Sequence, residues 1–251
     1  MSDIEVRFGG IAALRGVGLT VERAAVTGLI GPNGAGKTTT FNVVCGLQGV
    51  AGGRVAFDGR DIRGLRPHRR ARLGIARTFQ RLEVFGSLSV RDNILVAAEI
   101  HRRVSHDRSD PRAVTEEVLD LVDLRRVAGE PADTLPTGLA RLVELGRALA
   151  SRPSLLLLDE PSSGLDEHES DALGDLLLRL ADGGMAVLLV EHDVELVMRV
   201  CTRIHVLDFG RVLAVGTPDE IRADPQVRAA YLGTEDDTGG AGGEEDTRVP
   251  A

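Results

Sequence analysis

A glycine-rich segment stands between a short apolar run and a stretch with helical periodicity, and it reads Gly31-Pro32-Asn33-Gly34-Ala35-Gly36-Lys37-Thr38. Glycines let successive backbone amides point inward at phosphate oxygens. Lys37 is the single lysine of the chain and would supply a cation to the β- and γ-phosphates of a nucleotide, while Thr38 would supply a hydroxyl to Mg²⁺. The following helix adds the positive end of its dipole. The pattern predicts a phosphate-binding loop rather than an ordinary glycine turn.

Two carboxylates, Asp159 and Glu160, follow directly after four consecutive leucines, Leu155 to Leu158. An open α/β sheet binds its ligands at the carboxyl ends of its strands. We therefore expect Asp159 to hold Mg²⁺ directly or through water, and Glu160 to orient and polarise the attacking water in phosphoryl transfer. Acidic residues also end strands because they are solvated there, but the phosphate-binding loop favours the catalytic interpretation.

Three further side chains stand where a nucleotide site needs them. His192 follows an apolar strand and reaches the same sheet edge, where an imidazole could contact the γ-phosphate or the water held by Glu160. Gln80 ends a strand and offers an amide to Mg²⁺ or water. Phe8 could stack on a base, although an aromatic there is more often part of the core. The other histidines are expected to have surface or core roles: His68, His101, His106, His168 and His205.

The composition excludes several classes of protein. The chain has 251 residues, 43% of them hydrophobic, enough for a full core. Its aliphatic runs are far shorter than the roughly 20 residues of a membrane helix, and Asp3 and Glu5 interrupt a signal-peptide pattern, so we expect a soluble, non-secreted chain.

Cys45 and Cys201 lack metal-ligand spacing and predict buried thiols in a reducing compartment. The net charge of −8 argues against a general nucleic-acid binder.

The elements that must position these residues alternate between strand and helix, which predicts an α/β fold. Strands are predicted at 4–8, 17–21, 25–30, 54–57, 75–79, 155–158, 186–190 and on both sides of Phe209-Gly210, and helices at 38–47, from Pro67, at 167–181 and from Val194. Helical periods at 89–103, 113–124 and 138–150 form an insert that divides one sheet domain. We predict a nucleotide-binding core in two parts, 1–82 and 151–232, a helical subdomain at 83–150, and a disordered acidic tail at 233–251.

Together, these residues resemble the nucleotide-binding subunit of an ATP-binding cassette (ABC) transporter over about residues 3–233. The resemblance implies a P-loop NTPase (RecA-like) core of ABC ATPase type, with an inserted helical subdomain and antiparallel β strands at the N-terminus. It implies ATP hydrolysis coupled to transport, with ATP and Mg²⁺ bound. Under this resemblance the residues that bind the metal are Thr38, Gln80 and Asp159. It further assigns Phe8 as the adenine-stacking aromatic, Gly31 to Thr39 as Walker A, Gln80 as the Q-loop, Leu155 to Glu160 as Walker B, Ser163-Gly164-Leu165-Asp166 as the D-loop and His192 as the switch histidine.

Within the superfamily, four segments are similar to the ATPases of branched-chain amino acid importers. They are Phe8-Gly9-Gly10, Ala76-Arg77-Thr78-Phe79-Gln80, Val190-Glu191-His192-Asp193 and Ala230-Tyr231-Leu232-Gly233. The resemblance implies import of branched-chain or other hydrophobic amino acids; urea/amide importers and the lipopolysaccharide-export ATPase are similar alternatives. A non-transport ABC ATPase acting on DNA or ribosomes usually carries a long coiled-coil insert or a second cassette, and 251 residues leave room for neither.

The signature loop departs from the superfamily pattern. That pattern is Leu-Ser-Gly-Gly-Gln, and this chain reads Leu135-Pro136-Thr137-Gly138-Leu139, without the serine hydroxyl and the glutamine amide. Pro136 is similar to the branched-chain group, which often carries Leu-Pro-x-Gly-Gln, but even against that pattern Leu139 replaces a polar residue with an apolar one. In the family, two subunits sandwich two ATP molecules, and each Walker A loop is capped by the partner's signature loop. We therefore expect a heterodimer with a second ABC ATPase subunit, in which this chain supplies an intact Walker site and a weakened cap. The alternative is a regulatory subunit that binds ATP without turnover. Four residues argue against it: Lys37, Asp159, Glu160 and His192.

The resemblance also implies partners in a membrane. These are two integral membrane permease subunits and, indirectly, an extracytoplasmic substrate-binding protein; no nucleic acid is expected. Residues near Gln80 to Ser89 would contact the coupling helix of a permease. The expected location is the cytoplasmic face of a bacterial plasma membrane, as a peripheral protein.

Overall fold

The computed structural model describes residues 1–80, 82–105 and 107–232. Arg81, His106 and residues 233–251 lie outside the described residues, and so do the predictions made for His106 and for the acidic tail. The strands are β1 (Ser2–Phe8), β2 (Ile11–Val17), β3 (Ala25–Ile30), β4 (Gly52–Arg54), β5 (Ala56–Phe57), β6 (Arg60–Asp61), β7 (Ile75–Arg77), β8 (Leu155–Asp159), β9 (Ala186–Val190), β10 (Arg203–Asp208) and β11 (Arg211–Gly216).

The helices are α1 (Lys37–Cys45), α2 (Pro67–Arg72), α3 (Val90–Val104), α4 (Pro111–Leu121), α5 (Thr137–Leu149), α6 (Glu167–Asp182), α7 (Val194–Val200), α8 (Pro218–Ala223) and α9 (Pro225–Val227). Short 3₁₀ turns cover Arg125–Val127 and Ala132–Thr134, and a π-helical turn covers Arg228–Leu232.

A six-stranded sheet in the order β11-β10-β3-β9-β8-β7 positions the predicted site. The strands from β10 to β7 run parallel, and β11 is antiparallel to β10. Strand β8 is apolar on both faces: Leu156 and Leu158 join one core cluster and Leu155 and Leu157 join the other, because successive side chains of a strand point to opposite faces. A second, antiparallel sheet in the order β2-β1-β4 packs at the N-terminus.

The helical insert comprises α3, α4 and α5, which pack on one another. Ser89 caps α3 by accepting a hydrogen bond from the backbone N–H of Asp92. Gly146 of α5 lets the helices approach closely, because a Cβ there would lie 3.1 Å from Ile94 Cδ1 and 3.3 Å from Val118 Cγ1. The predicted α/β class with an antiparallel N-terminal sheet and this helical insert is confirmed.

Two predicted strands are wrong in detail. Residues 17–21 are not a strand, because the first hairpin continues from β1 into β2 and ends at Val17. Residues 54–57 divide into β4 and β5, which pair with different partners. The described helices include none long and apolar enough to cross a membrane.

Candidate functional site

The carboxyl ends of four adjacent parallel strands gather the predicted site residues at one sheet edge. The glycine-rich loop follows β3, Asp159 ends β8 and Glu160 comes next, and His192 follows β9 by two residues. Gln80 lies three residues beyond the end of β7, which stops at Arg77 rather than at the predicted Phe79. Topology therefore brings together residues more than 150 positions apart in the chain.

Backbone geometry explains the glycines of the phosphate-binding loop. Gly31 has a φ of 143°, and a Cβ there would lie 2.0 Å from the carbonyl oxygen of Leu207. Gly36 has a φ of 107°, and a Cβ there would lie 2.7 Å from a methyl group of Leu14. Both positions exclude a side chain for conformational and steric reasons, so the loop can follow this path only with glycine.

Lys37 begins α1 and folds back over the loop. Its ammonium group donates to the carbonyl oxygens of Gly31 and Pro32, the latter at 3.2 Å. Burial lowers the pKa of Lys37, and the carboxylates of Glu160 and Asp159 oppose this shift. The ammonium is thus held above the loop, near both carboxylates. Thr38 is exposed beside it, and Thr39 is half-buried.

Arg77 holds the carboxylate of Asp159 in an ion pair that the site predictions did not include. Its Nη2 lies 2.9 Å from Asp159 Oδ2, and its Nη1 donates to Asn42 Oδ1 at 2.6 Å. The guanidinium also lies over the rings of Phe41 and Phe79, 5.4 and 4.9 Å from their centroids. Burial raises the pKa of Asp159, and the charge of Arg77 counteracts it. The signal in the sequence was a charged residue within the predicted strand 75–79, which reads Ile75-Ala76-Arg77-Thr78-Phe79.

Glu160 lies between two of the predicted catalytic side chains. Its Oε2 accepts a hydrogen bond from Gln80 Nε2 at 3.0 Å, and its Oε1 lies 2.9 Å from His192 Nε2. Glu160 also adopts a φ of 50°, an uncommon conformation for a residue with a side chain. Three residues separated by up to 112 positions therefore meet around one carboxylate.

Glu191 supports the backbone that follows Glu160. It is buried, and its carboxylate accepts from the backbone N–H groups of Ser162 at 2.7 Å and His192 at 3.1 Å. Burial raises the pKa of Glu191, and these hydrogen bonds counteract the shift. The predicted D-loop, Ser163-Gly164-Leu165-Asp166, continues from this point and ends with Asp166 as the N-cap of α6.

Phe8 lies at the end of β1 with a ring that is 52% exposed. The alternative interpretation, a core aromatic, is therefore wrong. Phe8 pairs with Ile11 beside the turn between β1 and β2. Of the two cysteines, Cys201 is buried as predicted and Cys45 is only half-buried.

The predicted signature residues lie apart from Glu160, at the start of α5. Leu135 and Leu139 are half-buried and pack against the larger core, Gly138 is buried, and Pro136 and Thr137 are exposed. Among the described residues, no hydrogen bond joins 135–139 to Lys37, Asp159 or Glu160. Thr137 instead lies against the D-loop, where a Cβ on Gly164 would be 3.2 Å from Thr137 Cγ2.

The oxygen donors at the sheet edge suit Mg²⁺ bound together with a nucleotide. Mg²⁺ prefers hard oxygen ligands and usually takes one or two protein carboxylates, with phosphates and water completing its shell. Asp159 offers one carboxylate, Thr38 a hydroxyl and Gln80 an amide oxygen. The described residues contain no cluster of three or more His, Cys, Asp or Glu side chains that could hold a metal ion.

The chain is similar to known proteins of one family. A family model described as "ABC transporter" matches residues 14–163, and one described as "Branched-chain amino acid ATP-binding cassette transporter" matches residues 211–237. The chain is 40% identical over 246 residues to BraF, a high-affinity branched-chain amino acid transport ATP-binding protein of Pseudomonas aeruginosa, covering 93% of this chain and 96% of BraF. It is 36% identical to LptB, a lipopolysaccharide export system ATP-binding protein of Haemophilus influenzae, covering 86% and 89% of the two chains.

A solved structure of the ADP conformation of MJ1267, an ATP-binding cassette of an ABC transporter, superposes with a TM-score of 0.82. The two sequences are 29% identical, and the match covers 92% of this chain and 97% of MJ1267.

Proposed function

The chain belongs to the ABC transporter family of ATP-hydrolysing subunits, and from that premise we propose that it powers the import of branched-chain amino acids. Overall identity separates the importer relative from the exporter relative by only four percentage points, 40% against 36%. The observation that carries the proposal is the match of residues 211–237, which begins at β11, to the model for branched-chain amino acid transporters.

For hydrolysis, the proposed roles follow from the cluster around Glu160. Its carboxylate polarises the attacking water, while Gln80 and His192 fix its two oxygens in place. Lys37 neutralises charge on the β- and γ-phosphates. Mg²⁺, when bound with ATP through Thr38, Gln80 and Asp159, would supply further neutralisation of the phosphate oxygens.

For ATP binding, we assign the phosphates to the amides of the loop and the adenine to the exposed ring of Phe8. The loop residues are Gly31, Pro32, Asn33, Gly34, Ala35, Gly36, Lys37, Thr38 and Thr39.

For assembly, we propose a heterodimer with a second ABC ATPase subunit. The exposed positions Pro136 and Thr137 face outward at the start of α5, where the family's signature loop caps the partner's nucleotide. Proline supplies no hydroxyl there, and losing one charge-assisted hydrogen bond costs roughly 1.5–3 kcal/mol. This chain would then contribute the intact Walker site and the weaker cap, with the D-loop at Ser163 to Asp166 beside it.

For docking on a membrane, the groove beside the Q-loop is the proposed contact with a permease. Its volume is about 430 Å³, and its walls come from α1, α2, β7, α3 and α5. Leu47 and Phe79 expose apolar surface there. We place the chain at the cytoplasmic face of a bacterial membrane through two permease subunits, which in turn receive substrate from an extracytoplasmic binding protein.

The test is uptake of radiolabelled leucine, isoleucine and valine by cells from which this chain has been deleted. Restoring the parent chain is expected to restore uptake, and Glu160→Gln is expected not to, because the carboxylate that polarises water is gone. Glu99→Gln, an exposed glutamate of α3, is the matched control and should restore uptake fully. Loss of urea uptake or lipopolysaccharide export instead, with normal leucine uptake, would overturn the substrate assignment.

A further inference from the structure

Three side chains on one face of α5 form hydrogen bonds with the backbone of the segment that follows β7. They are Arg141, Glu144 and Arg147, spaced three residues apart so that they share a face of the helix. Arg147 donates to the carbonyl oxygen of Glu83, and its guanidinium lies 4.3 Å from the ring centroid of Phe85. One helix therefore contacts Phe79, Gln80, Glu83 and Phe85 of this segment.

The contacts nearest Gln80 are the most specific. Arg141 donates through Nη1 to the carbonyl oxygen of Phe79 at 3.1 Å and through Nη2 to that of Gln80 at 2.7 Å. Glu144 accepts a hydrogen bond from the backbone N–H of Phe79 at 3.1 Å and lies 3.6 Å from Arg141. The side chains of Arg141 and Glu144 are 12% and 7% exposed, so both pack into the protein while their polar ends reach the backbone of Phe79 and Gln80. Because the Arg141 guanidinium donates two hydrogen bonds to adjacent carbonyl groups, it fixes the orientation of the Phe79–Gln80 backbone as well as its distance from α5.

Under the proposed function, these contacts connect two segments that act on different nucleotides, the Q-loop and the signature loop. Gln80 donates to Glu160, so the position of the Gln80 backbone is tied to the catalytic carboxylate of this chain's own ATP site. The same helix begins at Thr137, in the loop that caps the partner's ATP under the proposed function. Thr137 and Glu144 are about 10 Å apart along a rigid helix, since each residue adds 1.5 Å. The contacts of Arg141 and Glu144 therefore connect Gln80 to the helix that begins in the signature loop.

Resting on the proposed function, we propose that Arg141 and Glu144 are positioning residues that tie the Q-loop to the signature helix. Through them, ATP in this chain's own site moves the loop that caps the ATP of the partner. Among the described residues, no hydrogen bond or ion pair joins Arg141 or Glu144 to the phosphate-binding loop, so the two residues act through Gln80 and α5 rather than on the nucleotide.

Hydrogen exchange measured by mass spectrometry on the full chain, with Glu160→Gln to block hydrolysis, tests this assignment. In the Glu160→Gln parent, ATP with Mg²⁺ is expected to slow exchange at 31–39 and to change exchange at both 78–80 and 137–149. Adding Arg141→Met or Glu144→Leu should leave the change at 31–39 intact and the ATP affinity within about threefold, because neither residue is near the phosphates. The change at 137–149 should fall to less than about half of its value in the parent.

Conservative and control variants separate positioning from simple destabilisation. Glu144→Gln keeps a carbonyl oxygen for the Phe79 N–H and is expected to retain the ATP-dependent change at 137–149. Arg112→Met, an exposed arginine of α4, should behave like the parent. If Arg141→Met does not fold, Arg141→Lys, which keeps the charge but not the paired hydrogen bonds, replaces it and should still lose the response.

The outcomes are distinguishable. An unchanged response at 137–149 in Arg141→Met and Glu144→Leu, or no response there in the parent, overturns the role of these residues while ATP binding stands. No protection of 31–39 in the parent refutes ATP binding at this loop, and with it both the proposed function and the positioning role.

Discussion

At the scale of single residues, burial separates two arginine–aspartate pairs with similar distances. The Arg77–Asp159 atoms are 2.9 Å apart with side chains 8% and 3% exposed, and the Arg23–Asp58 atoms are 2.7 Å apart with side chains 66% and 52% exposed. Arg77→Met is expected to lower the free energy of unfolding by about 3–5 kcal/mol, because it leaves a buried carboxylate without its counter-charge. Arg23→Met should cost less than about 1 kcal/mol.

Urea denaturation of both variants measures the difference. The double variant Arg77→Met/Asp159→Asn is expected to recover part of the loss, because the unpaired charge is removed as well. Equal losses for Arg77→Met and Arg23→Met would contradict the importance of burial at this pair.

His205 gives the molecule a pH dependence that can be assigned to one side chain. Burial lowers the pKa of His205 to about 4, and the charge of Arg203 acts in the same direction. The unfolded imidazole titrates near 6.5, so between pH 6.5 and 4 the unfolded chain binds a proton that the native state does not. The contribution of His205 to the free energy of unfolding is therefore fully present above pH 6.5, and it decreases by about 3 kcal/mol as the pH falls to 4.

His205→Leu should remove this part of the pH dependence. Urea midpoints at pH 7 and at pH 4.5 are expected to converge in the variant relative to the parent. His68→Leu, an exposed histidine of α2, should keep the parent's pH dependence. A parent-like profile in His205→Leu would mean that another group dominates this range.

At the scale of elements, the start of α6 gives Asp166, the last residue of the predicted D-loop, a local folding role. Asp166 accepts from the backbone N–H of Glu169 at 2.8 Å, and the Glu169 side chain accepts from the backbone N–H of Asp166 at 3.1 Å. Asp166→Ala is expected to lower the free energy of unfolding by about 1 kcal/mol, because the backbone N–H of Glu169 loses the side-chain acceptor that caps the helix. Asp166→Ser should retain most of the cap, and Asp182→Ala at the other end of α6 should be nearly neutral. Thermal unfolding measures all three, and an unaffected Asp166→Ala would exclude the capping role.

The elements that the sequence predicts best are those decided by local pattern. The buried strands at 25–30 and 186–190 have the predicted bounds, because their continuous apolar character depends on no neighbour. The strand at 17–21 is wrong for a complementary reason: Val17 and Leu19 are both buried, yet the residues beyond Val17 make no ladder. Alternating burial also arises where a loop packs into the core. Only hydrogen-bonded pairing with a neighbouring strand distinguishes a strand from such a loop.

At the scale of the whole molecule, topology decides which side chains meet, and spacing alone does not. The order of motifs predicted that Gln80, Glu160 and His192 would share a sheet edge. It did not predict the Arg77–Asp159 pair, 82 residues apart, or the bond from Phe79 to Glu144, 65 residues apart. Such pairs depend on strand order and on how a helical insert packs, neither of which leaves a periodic signal in the chain.

Self-association provides the remaining whole-molecule prediction, because a symmetric dimer would use the altered signature loop twice. With ATP and Mg²⁺, Glu160→Gln is expected to stay a monomer of 26.7 kDa by light scattering on a sizing column. Adding Pro136→Ser restores a hydroxyl at an exposed position and should promote the dimer. One bond regained at each of two sites contributes about 3–6 kcal/mol, more than a hundredfold in Kd.

Leu139→Gln is expected to contribute less than Pro136→Ser, since Leu139 is half-buried and packs against the core beside Leu142 and Leu165. Omitting ATP should return every variant to the monomer, because under the proposed function each signature loop contacts the nucleotide held by the other subunit. A doubled mass for Glu160→Gln alone would show that the existing loop caps ATP, and would favour a homodimer over the heterodimer. A monomeric Glu160→Gln/Pro136→Ser/Leu139→Gln chain would place the obstacle to self-association outside the signature loop, and the weakened cap would no longer explain the need for a second subunit.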